Sequence, residues 1–486
     1  MYQRLEGGVG RAVYFRAPRV RPDWLARHES LVVRFGSTVG RLRDFGLGGM
    51  LFEIGEQLPA PALQTQAAVE IILRGRVIYS ATGCVVRNDQ TNGRVRVALR
   101  LVSGLLEPRV LRRRIQDALF RDEVGAGVST YDAVPAQYRV AVSEAVFTLN
   151  HWKQLLDLRE RQIRETEESA DIAIELGELE RVAEDGLRGD WCRVRQGAIV
   201  ASDEIESSSG AFLAAKRFTE AVLTPLLMSG PIWEHAFRKP RGYPGDFELM
   251  NLMYQSERRG DSIFGRILHE LGREERLAAT VRDRRRYLAR QLLEEASRAR
   301  SLGQTEIRIA NLGAGPAREI RDLLDTWQSG PRLVITLIDQ DQDALEHANR
   351  HLRRAAERLG QGVEIRCRFV SFRELVRNRE LLLELSGQDL IYSAGFFDYL
   401  PDPVASQLAS FLFAQLRQRG RLLIGNALAA HDVKWVPEYV LDWRMIYRTP
   451  DDMRRLCKEL EIPHSLEVKF DGSGAWQFLE VCRARD

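Results

Sequence analysis

A strand-turn-helix-strand pattern in the last third of the chain constrains the fold more than any other feature. Residues 307–312 are mostly apolar, a turn with Gly313 and Gly315 follows, and after an amphipathic stretch residues 333–339 form a second apolar run ending in Asp339. This order predicts two parallel strands joined by a helix in an α/β fold. Glycines let the backbone approach a ligand at a helix N-terminus, and an acid closing the next strand accepts hydrogen bonds from ribose hydroxyls. The pattern therefore predicts a ligand that contains a nucleoside.

The turn lacks the third glycine of classical dinucleotide-binding loops, and residues 389–400 supply a further apolar strand with an aromatic, acidic loop. Together these segments resemble class I S-adenosylmethionine-dependent methyltransferases, whose first motif is acid-x-Gly-x-Gly-x-Gly. Here Asn311 occupies the acidic position and Ala317 that of the last glycine. The resemblance implies a Rossmann-like methyltransferase domain that binds S-adenosyl-L-methionine. It gives these cofactor-binding candidates: Asn311, Gly313, Gly315, Asp339, Gln340, Ser371 and Phe396.

The later segments fit the same α/β domain. We predict a third strand over Glu364–Val370, a helix over Ser406–Gln418 and a fifth strand over Gly420–Gly425. Segments Ser465–Lys469 and Gln477–Val481 are expected to form a closing strand pair at an antiparallel edge of the sheet. The resemblance covers roughly the last 190 residues, by the extent of these patterned segments.

Methyl transfer from a sulfonium is a displacement, so the enzyme chiefly aligns the acceptor and excludes water, and a general base is optional. Residues after the carboxyl end of a parallel strand face the crevice of an open sheet. Asp398 and Tyr399 are therefore catalytic candidates, and His431, after the fifth strand, is a further one. The neighbouring aromatics Phe396 and Phe397 have an equally simple interpretation as core residues.

The segment Lys239–Asn251 combines two prolines, two glycines and two carboxylates in a turn that leads into a predicted helix. Asp246 fits the N-cap of that helix, because a short acidic side chain accepts hydrogen bonds from the free amides of the first turn. The alternative is that the segment forms a lid over the crevice. In that case Tyr243 and Asp246 become catalytic candidates.

This segment, together with residues 281–288 and 440–449, resembles bacterial methyltransferases that act in the biosynthesis of 3-hydroxypalmitic acid methyl ester. That ester is a quorum-sensing signal. The resemblance implies that the acceptor is the carboxylate of a fatty or other small organic acid. The guanidinium fork of arginine suits a carboxylate. The implied substrate-binding residues are Arg241, Arg282, Trp443, Arg444 and Tyr447, with Tyr243, Arg285 and Arg448 as further members. Relatives with the same turn also resemble enzymes that cyclise S-adenosylmethionine to a small-ring amino acid, so that alternative stays open.

The first hundred residues contain regularly spaced short strand patterns, which predict a small β-barrel. The expected strands are 30–35, 49–54, 68–73, 75–80, 83–87 and 95–101. The stretch Asp44–Gly49 resembles the Asp-x-Ser-x-x-Gly motif of PilZ domains, which bind cyclic di-GMP, although Gly46 replaces the serine and Arg16, Arg19 and Arg21 lack the usual spacing. We therefore predict a degenerate PilZ-like barrel with a docking or regulatory role, in which Arg41, Arg43 and Asp44 are the residues to test.

These patterns divide the chain into a barrel at 1–107, a helical linker and lid region at 108–300 and a methyltransferase domain at 301–486. Within the helical region, an apolar stripe predicts intramolecular packing, with pairing between two subunits of a homodimer as the alternative. The stripe comprises Val146, Leu149, Trp152, Leu155, Leu156 and Ile163.

The net charge of +3 mixes arginine and acid throughout, which argues against a nucleic-acid footprint. Five scattered cysteines without a Cys-x-x-Cys pair predict reduced thiols, a cytoplasmic location and no metal site. No apolar run is long enough to suggest a membrane span. Two function classes remain: an S-adenosylmethionine enzyme acting on a small molecule, or a signalling protein in which cyclic di-GMP or a protein partner acts on an inactive methyltransferase-like domain.

Overall fold

The structure is a computed structural model that describes residues 3–6, 12–15, 31–55, 60–91, 94–126, 129–166, 169–205, 209–327, 329–370, 385–428, 431–458, 460, 462 and 464–484. The chain folds as two units, Met1–Thr130 and Tyr131–Asp486. No helix among the described residues is long and apolar enough to cross a bilayer.

The first unit contains a closed six-stranded barrel, as the strand spacing predicts. Its strands are β3 (Val32–Phe35), β4 (Thr38–Gly46), β5 (Gly49–Ile54), β6 (Gln66–Leu73), β7 (Arg76–Thr91) and β8 (Arg94–Ser103), in the order β3-β4-β5-β8-β7-β6. All neighbouring strands are antiparallel. A separate hairpin pairs β1 (Gln3–Glu6) with β2 (Ala12–Phe15). Helix α1 (Pro108–Ala126) adds Leu111, Ile115 and Ala118 to the barrel core.

Two details of the predicted barrel are wrong. The separate strands expected at 75–80 and 83–87 are one strand, β7, whose register with β8 shifts between Thr82 and Gly83. A glycine inside a strand commonly marks such a bulge, and here it imitates a break between strands. Strand β4 was not expected, because Gly40 weakens its alternating pattern; a β-carbon at Gly40 would lie 2.5 Å from the Glu53 carbonyl oxygen.

The second unit begins within α2 (Ser129–Asp132). Its helical part continues with α3 (Ala136–Thr166), α4 (Ser169–Ser202), α5 (Gly210–Val222), α6 (Thr224–Leu227), α7 (Pro231–Arg238), α8 (Phe247–Tyr254), α9 (Ile263–Glu274) and α10 (Arg276–Ser301). The predicted stripe lies on α3, where Leu149, Leu156 and Ile163 are buried at a spacing of seven residues. Leu155 is 49% exposed and does not belong to this core. Trp152 of α3 donates a hydrogen bond from Nε1 to Asp190 of α4 at 2.8 Å.

The α/β part follows with β9 (Glu306–Leu312), β10 (Arg332–Asp339), β11 (Val363–Phe369), β12 (Gln388–Ser393), β13 (Leu416–Ala427), β14 (His464–Phe470) and β15 (Trp476–Arg483). The sheet order is β11-β10-β9-β12-β13-β15-β14. Strands β9 to β13 are parallel, and β15 runs antiparallel to both β13 and β14. The expected antiparallel edge is therefore confirmed.

The helices of the α/β part are α11 (Arg318–Thr326), α12 (Gln342–Leu359), α13 (Asp402–Ala414), α14 (His431–Trp435) and α15 (Pro450–Arg455), with a π-helical turn at Val436–Val440. The helix predicted over Ser406–Gln418 is placed too late in the chain. Helix α13 begins at Asp402 after Pro401 and ends before Leu416, which pairs with Gln388 and so belongs to β13. Sheet pairing overrides the local helical pattern there.

Strand β9 is the point at which the connections change direction, since β10 lies on one side of it and β12 on the other. In open α/β sheets the loops at such a point separate and leave a crevice outside the carboxyl ends of the strands. The candidate residues that come after β9, β10, β12 and β13 therefore meet at one edge of the sheet.

Candidate cofactor and substrate site

The glycine turn after β9 is tied to the end of β10 by backbone contacts. The amides of Gly313 and Ala314 donate hydrogen bonds to the carbonyl of Ile338 at 2.9 and 3.2 Å. The amide of Gly315, a residue with φ of +50°, donates to Asp339 Oδ2 at 2.9 Å. This left-handed conformation favours glycine. The structure thus brings together the two glycines and the acid that the sequence singled out.

Asp339 is buried, and its second oxygen also has a donor. Oδ1 accepts a hydrogen bond from the Asp341 amide at 2.9 Å. Burial raises the pKa of Asp339, and the amides of Gly315 and Asp341 counteract that shift. Each oxygen of an ionised carboxylate has lone pairs for further donors. The carboxylate thus fixes the turn and keeps acceptor capacity for a ligand hydroxyl.

Asp341, which the sequence did not single out, binds the segment predicted to be a lid. Arg241 donates from Nε to Oδ2 at 2.6 Å and from Nη2 to Oδ1 at 2.8 Å, and the Tyr243 hydroxyl donates to Oδ2 at 2.8 Å. Burial opposes ionisation, but Arg241 and Tyr243 outweigh it and lower the pKa of Asp341. The same carboxylate caps α12 by accepting from the amides of Asp343 and Ala344.

Arg241 is therefore engaged before any substrate binds. Its guanidinium also pairs with Asp343 and with Glu248 Oε1, the latter at 3.3 Å, and lies 4.9 Å from the centre of the Phe247 ring. Such a bidentate arginine-carboxylate pair is geometrically demanding and strong. The only sequence signal for this contact was the acid two residues after Asp339.

A cavity of about 460 Å³ adjoins this contact. It is lined by Pro240, Arg241, Tyr243, Gln340, Asp341, Gln342, Asp343 and Phe369. Gln340, a predicted cofactor residue, lies directly between the two acids, and the Phe369 side chain is 62% exposed at the end of β11. An exposed aromatic beside polar groups suits a flat, hydrogen-bonding ring system. Ser371, another of the predicted cofactor-binding residues, lies outside the described residues.

Asp246 occupies the predicted N-cap of α8, where Oδ1 accepts from the Leu249 amide at 2.8 Å. His235 Nε2 of α7 lies 2.9 and 3.0 Å from the two oxygens of this buried carboxylate. Glu248 lies near both, and the side-chain ligand atoms of the three residues are within 4.8 Å of one another. The spacing is one that a metal ion could bridge, although the sequence predicted no metal site. The Asp246 contacts hold the turn between α7 and α8.

The same turn has a second attachment beside the loop after β12. Gly245, with φ of +71°, packs so closely that a β-carbon there would lie 2.9 Å from Trp443 Cζ2. The Trp443 indole donates from Nε1 to the hydroxyl of Tyr399 at 2.9 Å. The structure therefore brings Gly245, Tyr399 and Trp443 together, which the sequence predicted only as separate motifs.

Asp398 lies in a 3₁₀ turn (Phe397–Tyr399) after β12 and is buried. Its Oδ1 accepts from the Ala427 amide at 2.8 Å, which ties the turn to the end of β13. Burial raises the pKa of Asp398 to about 7, although the Ala427 amide, Arg284 and Arg448 all favour its ionised form. A carboxyl group with this pKa can take up or release a proton near neutral pH. Phe396 and Phe397 are buried in an apolar cluster, as in the core interpretation.

A buried polar cluster lies beneath the glycine turn. Asn311 Nδ2 and the Tyr392 hydroxyl both donate to Glu319 Oε1, at 3.1 and 2.8 Å. Asn311 Oδ1 is buried and has no hydrogen-bond partner in the described part of the chain. Burial raises the pKa of Glu319. Glu319, an acid in the first turn of α11, thus lies beside Asn311, where the sequence has no acid of its own.

Arg284 of α10 also points to this edge. Its guanidinium lies 4.7 Å from the centre of the Trp476 ring and contacts the Ala394 carbonyl and Met250 Sδ, each at 3.4 Å. A run of three arginines on a helix, as at 284–286, usually marks a solvated face. Instead, Arg284 is partly buried against the loop after β12.

The remaining predicted arginines have structural partners. Arg282 donates to the carbonyls of Met253 and Arg273, at 3.1 and 2.7 Å, and Arg285 forms a bidentate pair with Asp322. Arg448 is buried and donates to Phe397, Leu400, Asn426 and Asp402. Arg444 is exposed and lies over the Phe212 ring at 5.1 Å.

Tyr447 and His431 complete the predicted set. The Tyr447 ring has Lys434 Nζ 5.0 Å from its centre, and burial raises the pKa of its hydroxyl. His431 begins α14, and its side chain lies outside the described residues. In the barrel, Arg43 pairs with Glu53 at 2.5 Å, whereas Arg41 is exposed.

No protein-family model and no curated protein matches this sequence. Among solved structures, a possible exported protein from Bordetella parapertussis is similar with 16% identity and a TM-score of 0.39, covering 72% of this chain and 99% of that one. Magnesium protoporphyrin IX methyltransferase from Synechocystis, with bound S-adenosylhomocysteine, gives 13% identity and a TM-score of 0.32, covering 48% and 91%.

The N-methyltransferase NodS from Bradyrhizobium japonicum, also in complex with S-adenosylhomocysteine, gives 15% identity and a TM-score of 0.28, covering 43% of this chain and 88% of that one. At these scores the likenesses assign neither a family nor a function to this chain. Its function has to be inferred from the site itself.

Proposed function

We propose that residues 131–486 form an S-adenosylmethionine-dependent methyltransferase. The observation that carries this proposal is the pairing of Gly315 with Asp339 where the sheet connections change direction. It combines a close-approach turn with a buried acceptor at the place where open α/β sheets bind nucleosides. The cavity beside Gln340, Tyr243 and Phe369 suits an adenine ring, and Asp339 would hold the ribose.

The polar groups beneath the turn fit the amino-acid part of this cofactor. The buried oxygen of Asn311 has no hydrogen-bond partner in the described part of the chain, and Glu319 lies beside it. Both groups can accept hydrogen bonds from an ammonium group. When bound, the cofactor supplies a methyl group on a positively charged sulfur.

We propose that the acceptor is a fatty acid or another small organic acid, which would leave a methyl ester of the kind used in quorum sensing. Tyr399 and Trp443 would line its binding region, and Gly245 of the lid closes against them. Asp398 would take the acid proton if the acceptor binds in its neutral form, since the pKa of this carboxyl group is about 7. Exclusion of water by the lid protects the displacement.

The barrel unit is proposed to be a degenerate PilZ-like domain with a docking or regulatory role. The closed six-stranded barrel and the position of Asp44 and Gly49 around the β4–β5 hairpin support this proposal. Titration of the full chain with cyclic di-GMP, compared with an Arg41→Ala variant, tests it. Cyclic di-GMP binding that weakens in the variant supports a sensing role. Absence of binding leaves docking of a protein partner as the role to examine.

Calorimetric titration of the full chain with S-adenosylmethionine tests the enzyme proposal, with mass spectrometry of the nucleoside that remains. Micromolar binding, and S-adenosylhomocysteine formed only when fatty acids are added, is the expected result. Methylthioadenosine formed without an acceptor would instead identify cyclisation of the cofactor. Absence of S-adenosylmethionine binding would contradict the proposal and favour a signalling protein with an inactive methyltransferase-like domain.

A further inference from the structure

The arginines of α10 differ in what neutralises them. Arg285 is held by Asp322, Arg286 pairs with Asp283, and Arg282 donates to two backbone carbonyls. Arg284 forms no ion pair with a carboxylate in the described part of the chain, and its two contacts, to a carbonyl and a thioether, are both 3.4 Å long. A partly buried guanidinium without an anion is unusual in a protein with so many ion pairs.

The position of Arg284 is fixed although its charge is not paired. The guanidinium plane lies over the Trp476 indole, an arrangement that holds arginine by cation–π attraction. Gly395 is also close, since a β-carbon there would lie only 2.9 Å from Nη1. The indole and the glycine therefore bound a slot that holds the guanidinium group beside the loop after β12.

The surroundings of the slot select the charge of a ligand. Asp398 and Glu319 are both close enough to Arg284 for its field to act on them: burial raises their pKa values, and Arg284 counteracts both shifts. A dianion such as phosphate would bring two negative charges beside two acidic side chains. A carboxylate carries one charge and matches the guanidinium fork with two parallel hydrogen bonds.

We infer that Arg284, supported by Trp476 and Gly395, is a binding site for a ligand carboxylate. The inference rests on the proposed function, which places a cofactor with an amino-acid group and an acid acceptor at this edge of the sheet. The carboxylate has two possible sources, the amino-acid part of the cofactor or the acceptor. Arg284 thus replaces Arg241 and Arg282, whose guanidinium groups already have structural partners, as the carboxylate-binding arginine.

The test uses the full chain with Arg284→Gln and Arg284→Lys, and Arg286→Gln as the matched control, since Arg286 lies on the same helix with its side chain 71% exposed. Three probes are titrated by calorimetry. S-adenosylhomocysteine carries the amino-acid carboxylate, methylthioadenosine lacks it, and octanoate stands for an acid acceptor in the presence of S-adenosylhomocysteine. Tryptophan fluorescence during urea unfolding checks that each variant is folded.

If the cofactor supplies the carboxylate, Arg284→Gln weakens binding of S-adenosylhomocysteine roughly 10- to 100-fold and leaves methylthioadenosine unchanged, the loss expected for charge-assisted hydrogen bonds. If the acceptor supplies the carboxylate, the variant binds S-adenosylhomocysteine normally, but its affinity for octanoate falls by a similar factor. Arg284→Lys should give a smaller loss on the same ligand, because lysine keeps the charge without the fork. Arg286→Gln should change none of these affinities.

Equal affinities of wild type and Arg284→Gln for all three probes would overturn the inference while leaving the proposed cofactor in place. Wild-type protein that binds neither nucleoside contradicts the proposed function instead. In that case octanoate alone is titrated, and loss of its binding in Arg284→Gln still supports the carboxylate site. Failure of wild type to bind octanoate as well overturns the site together with the function.

Discussion

The carboxyl ends of β10 and β12 lie on opposite sides of β9, yet their charged groups are satisfied to very different degrees. At β10, Asp339 accepts from two backbone amides and Asp341 from Arg241 and Tyr243. At β12, Asp398 accepts from the Ala427 amide without a bidentate cation, and Arg284 has no carboxylate partner in the described part of the chain.

This contrast indicates at which of the two strand ends the charged groups are paired without a ligand. Unpaired charge in a partly buried place is costly, because the group has lost water and gained no partner. The β10 end avoids that cost because Arg241 and Tyr243 bind Asp341. The β12 end retains it, and a ligand that pairs with Arg284 would remove it. Four experiments test the contrast.

The largest effect is expected from Asp341→Ala, which disrupts the satisfied end. It removes the N-cap of α12 and the acceptor that Arg241 and Tyr243 share. Together, these losses should lower the free energy of unfolding by about 3 kcal/mol. Urea unfolding followed by tryptophan fluorescence measures the second unit, because seven of the eight tryptophans lie after residue 130. Asp343→Ala, at a side chain that is 64% exposed, is the control and should cost far less. Equal losses would contradict the role of Asp341.

The second experiment concerns the unsatisfied end. The pKa of Asp398 is about 7 in the folded protein against 3.8 ordinarily, so between these pH values the folded state keeps a proton that the unfolded chain has released. Stability therefore falls as the pH rises from about 4 to 7 and is constant above that. Asp398→Asn removes this dependence, so its stability relative to wild type should improve by roughly 2 kcal/mol between pH 5 and pH 8. Parallel stability curves for the two proteins would refute the raised pKa.

The third experiment asks whether the satisfied end still has capacity for a ligand. Asp339→Ala should weaken S-adenosylmethionine binding by about 2 kcal/mol, since charge-assisted hydrogen bonds to hydroxyls are lost and Gly315 loses its anchor. Asp339→Asn keeps one acceptor oxygen, so its affinity for S-adenosylmethionine should fall less. Isothermal calorimetry gives both values. Unchanged affinity in the alanine variant would remove Asp339 from the cofactor site.

The smallest effect is expected at the cluster beneath the turn. Tyr392→Phe deletes one of the two side-chain donors to Glu319, which should lower the free energy of unfolding by about 1 kcal/mol. The exposed Tyr131 provides the control, and Tyr131→Phe should leave stability unchanged within error. Equal unfolding midpoints for the two variants would mean that the Tyr392 hydrogen bond contributes nothing.

Much of the α/β part was predictable from local pattern. The strands β9, β10 and β12 are rich in apolar residues, as expected where both faces of a parallel sheet are covered, and the glycine turn and Asp339 stand where that pattern places them. Predictions failed where pairing partners decide the outcome. The helix expected to reach Gln418 ends at Ala414, and Gly83 is a bulge within β7 rather than a break between strands.

The site residues divide in the same way. The sequence alone specified which residue types meet at the edge of the sheet, because chain order and strand direction fix which residues come after each strand. Which arginine is available depended on the tertiary structure. Arg241, Arg282 and Arg284 look alike in sequence, but the first two have partners from segments distant in the chain or from other helices. Ion pairing depends on distances of a few ångströms between such segments, and no local pattern encodes those distances.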